Sequence, residues 1–225
     1  KELTEERICN IIHNCFLKAG VSLPELWLIE ADQYQSANAM VVGFPFRRGR
    51  FKQGLFVTRL LLNECNDKEL EAVMLHEVSH IKLKHMRRRF FYTILTIFGS
   101  AIFAGALLTF VYYLIPNLLL PARMVAIIFP LIIPYVLVRK QVMNHELEAD
   151  WFAVYKLGAD LDAFTGVLKK LDQINSVDAM YDKSQSKKIN ISHPATDFRI
   201  ARLREACNQD DTSDSNNESD GNKAA

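Results

Sequence analysis

The 225-residue sequence predicts an α+β protein, mostly helical with a small sheet, interrupted by a two-helix transmembrane hairpin. Three observations predict this architecture. Apolar residues recur at helical spacing along much of the chain, and three short apolar runs near its start are bounded by turn residues. Residues 90–122 contain no Asp, Glu, Lys or Arg. Because such a run suits a lipid bilayer, we do not expect a fully water-soluble globule.

Charge and cysteine content exclude some classes of protein. The 27 Lys and Arg nearly balance the 26 Asp and Glu, giving a net charge of +1. Nucleic-acid-binding domains usually carry a basic surplus, so we expect no nucleic-acid partner. The four cysteines form no C-x-x-C pair and no dense framework, which favours a reducing compartment.

The first 60 residues predict one helix and a small sheet. The helix runs from Thr4 to Ala19, with Thr4 as its N-cap and Gly20 as its stop. The predicted strands are Leu26–Ile29, Ala39–Val42 and Gly54–Thr58.

A second helix carries the most informative motif. Asn66 and Glu69 have the spacing of a capping box, and the helix is expected to continue at least to Met86. Within it, residues 76–80 read H-E-x-x-H, which places His76 and His80 one turn apart on the same face. Both imidazoles can then reach one ion, with Glu77 beside them as a proton acceptor. The alternative is an exposed helix with two incidental histidines.

A catalytic zinc site needs a third protein ligand, and residues 145–150 offer several candidates. Glu146 and Asp150 are four residues apart and share a helix face, whereas Glu148 points nearly opposite. One carboxylate can bind the metal while another holds a ligand histidine by its second ring nitrogen. His145 is a weaker candidate, and a solvated acidic face is the alternative.

Two apolar runs separate these segments. Phe90–Ile115 is long enough to cross a bilayer, and Met124–Val138 is a shorter run that contains Pro130 and Pro134. The runs predict two spans, with a buried hairpin or a re-entrant pair as the alternative. Basic residues cluster outside both runs and only Arg123 lies between them, so the positive-inside rule places both flanks in the cytoplasm.

Beyond the hairpin we expect two helices and two polar segments. The helices are Asn144–Leu157, ended by Gly158, and Leu161–Leu171, capped by Asp160. Residues 178–190 are interpreted as a loop, and residues 208–225 as a disordered tail.

Four motifs in order resemble one family, the integral-membrane zinc metallopeptidases that include HtpX and the prenyl-protein (CAAX) endopeptidases. The motifs are Asn38-Ala39 followed by Gly43, H-E-x-x-H at residues 76–80, Glu146 with Ala149-Asp150, and His193-Pro194 followed by Arg199-Ile200 and Leu203. The resemblance covers most of residues 3–206 and implies an HtpX-like, zincin-like fold. Met143 stands where relatives often have an Arg.

The resemblance assigns roles to these residues. It implies one Zn²⁺ per chain, held by His76, His80 and Glu146, with Glu77 as general base. It also implies that Asp150 orients a ligand histidine and that His193 steadies the tetrahedral intermediate. The implied substrate-binding strand consists of Asn38, Ala39, Met40, Val41, Val42 and Gly43.

The resemblance also implies an activity and a location. We expect a zinc endopeptidase in a bacterial-type inner membrane, cleaving misfolded or membrane proteins on the cytoplasmic side. Its partners would be peptide or protein substrates and the bilayer.

The chain is expected to have four parts. Residues 1–89 and 139–207 are the two halves of the peptidase domain, residues 90–138 are the hairpin, and residues 208–225 are the tail. The alternatives are a CAAX-type processing peptidase and a chaperone-like module with a structural zinc site. Neither His13 nor His85 is expected to be a site residue, and His85 is expected at the surface.

Overall fold

A computed structural model of the chain describes residues 1–30, 36–43, 54–114, 120–181 and 195–207. It is mostly helical with a small sheet, which confirms the predicted fold class. The elements are α1 (Glu6–Ala19), β1 (Glu25–Ile29), β2 (Ala39–Val42), β3 (Gly54–Thr58), α2 (Arg59–Glu64), α3 (Asp67–Lys82), α4 (His85–Leu114), α5 (Leu120–Trp151), a π-helical turn (Phe152–Lys156) and α6 (Leu161–Tyr181). Residues 196–207 form a further helix, α7.

Helix α1 begins later than predicted. Glu5, not Thr4, is at the N-cap, and its side chain makes no capping hydrogen bond, so the predicted Thr4 cap is wrong. The preceding residues are extended beside β1, where Leu3 N donates to Leu26 O at 3.1 Å. The predicted stop is confirmed, because Gly20 has a φ of 62° and its N–H caps the last turn.

Among the described residues the sheet has three strands in the order β1-β3-β2. β1 pairs parallel to β3, and β2 pairs antiparallel to β3. β3 is therefore central and largely buried, whereas β2 is an edge strand with Met40 and Val42 exposed. The three predicted strands are confirmed, with β1 starting one residue earlier than expected.

Helix α3 lies at the centre of the fold outside the long apolar helices. It packs against α1, α5, α6 and the π-helical turn. The capping box is confirmed: Asn66 Oδ1 accepts from Glu69 N at 3.0 Å, and Glu69 Oε2 accepts from Asn66 N at 2.9 Å. This fixed start sets which face of α3 points into the protein.

The end of α3 differs from the prediction. The helix was expected to run to Met86, but it ends at Lys82, and α4 starts at His85. The break occurs at Lys84, whose φ of 56° is left-handed and cannot continue an α-helix. The N–H groups of Leu83 and Lys84 donate back to Ser79 O and Ile81 O. The chain therefore turns between the end of α3 and the start of α4.

The apolar segment forms two long helices that pack along each other. Among the described residues, one helix, at His85–Tyr113, has the length and composition to cross a bilayer. The second predicted run lies inside α5, and this helix contains Pro130 and Pro134. That this run crosses a bilayer stays a prediction. Residues 115–119 of the connecting turn, which was predicted to face outward, lie outside the described residues.

The chain after the hairpin differs from the prediction in two places. The expected helix Asn144–Leu157 is the end of α5 followed by the π-helical turn. α6 continues to Tyr181, so residues 178–181 are helical rather than part of the expected loop. Asn175 in this extension accepts from Ala37 N at 3.1 Å, a tertiary contact that favours the longer helix. The Asp160 cap is confirmed by its bond to Ala163 N. Residues 182–190 and 208–225 lie outside the described part.

Candidate metal centre

Two histidines of α3 point their Nε2 atoms at the same place. The Nε2 atoms of His76 and His80 are 3.1 Å apart. His76 is buried, because α3 is packed on several sides, and His80 is partly exposed. This is the arrangement expected when residues four apart share one helix face.

Glu146 of α5 completes the group. Its Oε2 lies 3.6 Å from His76 Nε2, and its Oε1 lies 3.6 Å from His80 Nε2. Tetrahedral zinc with bonds of about 2.0–2.2 Å separates its ligand atoms by about 3.3–3.6 Å. The Glu146 oxygens lie at such a separation from both imidazoles, and the two Nε2 atoms, at 3.1 Å, are slightly closer together. A small movement of the rings, of about 0.2 Å, would let the three side chains hold a zinc ion. The structure brings these three predicted ligands together, and their role as ligands is a proposal.

A buried ion pair lies behind His76. Asp150 Oδ1 is 2.8 Å from His76 Nδ1. Arg199 of α7 donates to both carboxylate oxygens of Asp150, at 2.7 Å from Nε and 2.6 Å from Nη2. Burial alone would raise the pKa of Asp150, but the bonds from Arg199 and the contact with His76 lower it. An ionised Asp150 favours the His76 tautomer that carries its proton on Nδ1 and leaves Nε2 free.

No role for Arg199 is predicted from the sequence. Arg199 belongs to the terminal motif, and its partner Asp150 lies 49 residues away in sequence. No local pattern indicates such a contact. The sequence contains one indication of a shared role: Asp150 and Arg199 both belong to motifs that resemble the family.

The pKa values of His76 and His80 are shifted in opposite directions. Burial lowers the pKa of His76, but Asp150 and Glu146 outweigh burial and raise it to about 10. Burial and the neighbouring charge of His76 lower the pKa of His80 to about 3. A cation that binds both Nε2 atoms therefore displaces a proton from His76, as metal binding to imidazole generally does.

Glu77 lies where two adjoining cavities meet. One has a volume of about 400 Å³ and is lined by the start of α7 and by four apolar and two polar residues of α6: Phe164, Val167, Leu168, Leu171, Asp172 and Asn175. The other, of about 550 Å³, extends past His80 and Glu146 toward the beginning of α4. His76, Glu77, Asn38 and Ala39 line both cavities. A substrate in either cavity thus lies beside the predicted general base.

The edge strand β2 borders the same space. Asn38, Ala39, Met40 and Val41 line the larger cavity. Asn38 O accepts from Thr58 N at 3.0 Å. Because hydrogen bonding alternates along an antiparallel pair, Met40 and Val42 bond to β3, and the N–H and C=O of Ala39 and Val41 point to the open edge. His193, which is predicted to contact the substrate, lies outside the described residues.

His85 is buried, contrary to the expectation that it lies at the surface. It is 3% exposed, and its Nδ1 lies 2.9 Å from His80 Nδ1. Its ring stacks on that of His145, with centroids 4.2 Å apart. The expectation was wrong because it assumed an unbroken helix, whereas the turn at Lys84 returns His85 to the site. His13, which was not expected to be a site residue, is exposed.

Comparisons with known proteins give a family and a fold. Residues 2–207 match the model of peptidase family M48. A protease HtpX homolog of Listeria monocytogenes serotype 4a (strain HCC23) is 31% identical over 86 residues, covering 36% of this chain and 26% of that protein. An HtpX homolog of Listeria innocua serovar 6a has the same values. The crystal structure of S. mikatae Ste24p matches with a TM-score of 0.64 at 21% identity, covering 90% of this chain and 50% of that one. The resemblance found in the sequence is confirmed.

The buried pair between Asp150 and Arg199 generates a stability prediction. Arg199→Met leaves a buried carboxylate without its partner, which should lower the free energy of unfolding by about 3–5 kcal/mol. Chemical denaturation in detergent, followed by tryptophan fluorescence, measures the change. The control is Arg202→Met on the same helix, which removes an exposed ion pair with Glu205 and should cost at most about 1 kcal/mol. Equal losses in the two variants would contradict a special role for the buried pair.

Proposed function

The chain belongs to peptidase family M48, and we propose that it is a membrane-embedded, zinc-dependent endopeptidase. The observation that carries the proposal is the convergence of His76, His80 and Glu146 within 3.6 Å beside Glu77. A binding site alone does not need a proton acceptor next to the metal ligands. The chain spans about a quarter of the length of the HtpX homologs it matches, so the activity is inferred from the site and not from those proteins.

The donor set favours one zinc ion per chain, held by the two imidazoles and Glu146. When bound, the ion would activate a water molecule and polarise the scissile carbonyl. Asp150 and Arg199 fix the ring of His76 so that its Nε2 points inward. Calcium and magnesium prefer oxygen ligands, which makes them poorer candidates for this site.

Glu77 is the group that moves a proton. It takes a proton from the attacking water and passes it to the leaving amine, the usual task of a carboxylate in this position. His193 would donate to the oxyanion as charge develops on the carbonyl oxygen. Residues 195–199, which follow it closely, include Ala195, Thr196 and Asp197 on the wall of the smaller cavity. This closeness in sequence supports the role proposed for His193.

Substrate would bind in extended form along β2. The open main-chain groups of Ala39 and Val41 can pair with a peptide strand, which is the geometry of β-augmentation. The adjoining cavities would receive its side chains. Val73, Phe164 and Val167 in the smaller cavity favour apolar side chains on that side of the cleaved bond.

The position of α4 suggests which proteins are substrates. This apolar helix starts at His85, five residues after the ligand His80, so the site lies close to the membrane surface. The basic residues before the span, Lys82, Lys84, Arg87, Arg88 and Arg89, favour the cytoplasmic side of a bacterial-type inner membrane. Misfolded or membrane proteins with cytoplasmic segments near the bilayer would then be substrates, a quality-control role.

Two other functions make different predictions. A CAAX-type processing peptidase would cleave prenylated peptides. A chaperone-like module with a structural zinc site would bind zinc without turning over any peptide. Assays with casein, a membrane-protein substrate and a prenyl-peptide separate the three.

The central test replaces Glu77. Glu77→Gln should lower the rate of casein cleavage by at least about 100-fold, because it removes the general base but leaves the metal ligands. Zinc content, measured by elemental analysis of the detergent-purified protein, should be unchanged. Glu71→Gln, on the same helix and paired with Lys18, is the matched control and should retain activity. Full activity of the Glu77→Gln protein, or after zinc chelation, would exclude the proposed mechanism.

The substrate strand generates a second prediction. Val41→Pro removes an N–H that points away from β3, so it should lower kcat/KM for an extended peptide by about five- to tenfold while zinc binding is retained. Val41→Ala keeps the N–H and serves as control. Steady-state cleavage of a fluorogenic peptide measures both. Equal kcat/KM values for the two variants would show that peptides do not pair with this edge.

A further inference from the structure

We propose that His85 is a positioning residue for the metal centre: together with Glu148 and Arg88 it fixes the ring and the tautomer of His80. The inference rests on the zinc site proposed above and adds a support that the ligand motif alone does not contain. It explains why a histidine is buried at the first position of a helix that enters the membrane.

The proton positions follow from the geometry. His80 directs Nε2 toward the Nε2 of His76 and the carboxylate of Glu146, so its Nδ1 points away from them. That Nδ1 lies 2.9 Å from Nδ1 of His85. Two ring nitrogens can share a hydrogen bond only when one carries the proton and the other accepts it. For His80 to bind a metal through Nε2, its Nδ1 must carry the proton and donate to His85.

The remaining groups agree with this direction. His85, having accepted at Nδ1, carries its proton on Nε2, which lies 3.2 Å from Glu148 Oε2. A carboxylate is the acceptor this arrangement needs. Arg88 Nη1 lies 3.0 and 2.8 Å from the two oxygens of Glu148 and holds it in place. The hydrogen bonds thus run in one direction, from His80 through His85 to Glu148.

Packing restricts the His85 ring as well. It lies parallel to the ring of His145, with an interplanar angle of 1° and 4.2 Å between centroids. Since both rings are buried, His85 has little freedom to rotate away from His80. Because His85 is fixed as a hydrogen-bond acceptor, it favours one orientation of the His80 ring. Loss of a residue that orients a metal ligand typically lowers metal affinity by about 10–100-fold.

The two ligand histidines are therefore supported in parallel ways. His76 contacts Asp150, which Arg199 of α7 holds. His80 contacts His85, which is linked through Glu148 to Arg88 of α4. The second support is built by the first turn of the membrane helix, so the position of α4 affects the geometry of the metal centre.

A second cation site is the competing interpretation of the same residues. His85, His145 and Glu148 each offer a ligand atom, and these atoms lie within 4.8 Å of one another. His145 Nε2 is also buried without a hydrogen-bond partner. Two features oppose a cation there. The rings of His85 and His145 are parallel, so their nitrogen lone pairs lie in parallel planes and do not point toward one ion. The carboxylate of Glu148 already forms an ion pair with Arg88.

The test measures metal binding rather than catalysis. The full chain is purified in detergent, and its zinc dissociation constant is measured by competition with a chelator, for the wild type and for His85→Ala and His85→Asn. His85→Ala should weaken zinc binding by about 10–100-fold. His85→Asn places an amide oxygen near the former Nδ1 position, so binding should return to within about threefold of wild type. The visible spectrum of the Co²⁺-substituted protein should change in His85→Ala and recover in His85→Asn.

Controls separate the possible failures. His13→Ala removes an exposed histidine and should bind zinc like the wild type. Wild-type affinity and an unchanged Co²⁺ spectrum in His85→Ala would overturn the inference and leave the proposed function intact. Two zinc ions per chain, one lost in His85→Ala and also in His145→Ala, would replace it with the second cation site. A wild-type chain that binds no zinc would overturn the proposed function together with this inference.

Discussion

Helices α3 and α5 must hold the imidazoles of His76 and His80 and the carboxylate of Glu146 with their nitrogen and oxygen atoms 3.1–3.6 Å apart in a largely buried site. Buried polar and charged groups are costly unless each has a partner. The surrounding fold supplies those partners. Asp150 and Arg199 lie behind His76, and His85 with Glu148 lies behind His80. Among the described residues, much of the buried polar structure thus surrounds one small set of atoms.

The two long apolar helices, α4 and α5, are connected to this centre at both ends of the pair. α4 begins five residues after His80, and α5 continues from the apolar run through Glu146 to Trp151. The two halves of the site are far apart in sequence, yet α4 and α5 pack along each other and return the chain to α3. A protease built this way would act on chains that approach the membrane surface. The position of the site and its proposed substrates thus follow from the same connection.

Local features were predictable from the sequence, and contacts between distant residues were not. The capping box at Asn66 and the left-handed Gly20 each depend on a few neighbouring residues, so their patterns predicted them. Thr4 failed as a cap because the residues before α1 lie along β1, a tertiary contact. The break at Lys84 has no strong local signal, because neither Gly nor Pro marks it. The burial of His85 could not be predicted without that break. The ligand set followed from the family resemblance, since helical spacing alone left several candidates open.

Anomalous diffraction at the zinc absorption edge, from crystals of the full chain grown with zinc, tests the account most directly. We expect one strong peak per chain, about 2.0–2.2 Å from Nε2 of His76, Nε2 of His80 and a carboxylate oxygen of Glu146. A peak held by other residues, or an ion that Glu146 does not contact, would contradict the account. It would show that the convergence of these three side chains has another purpose.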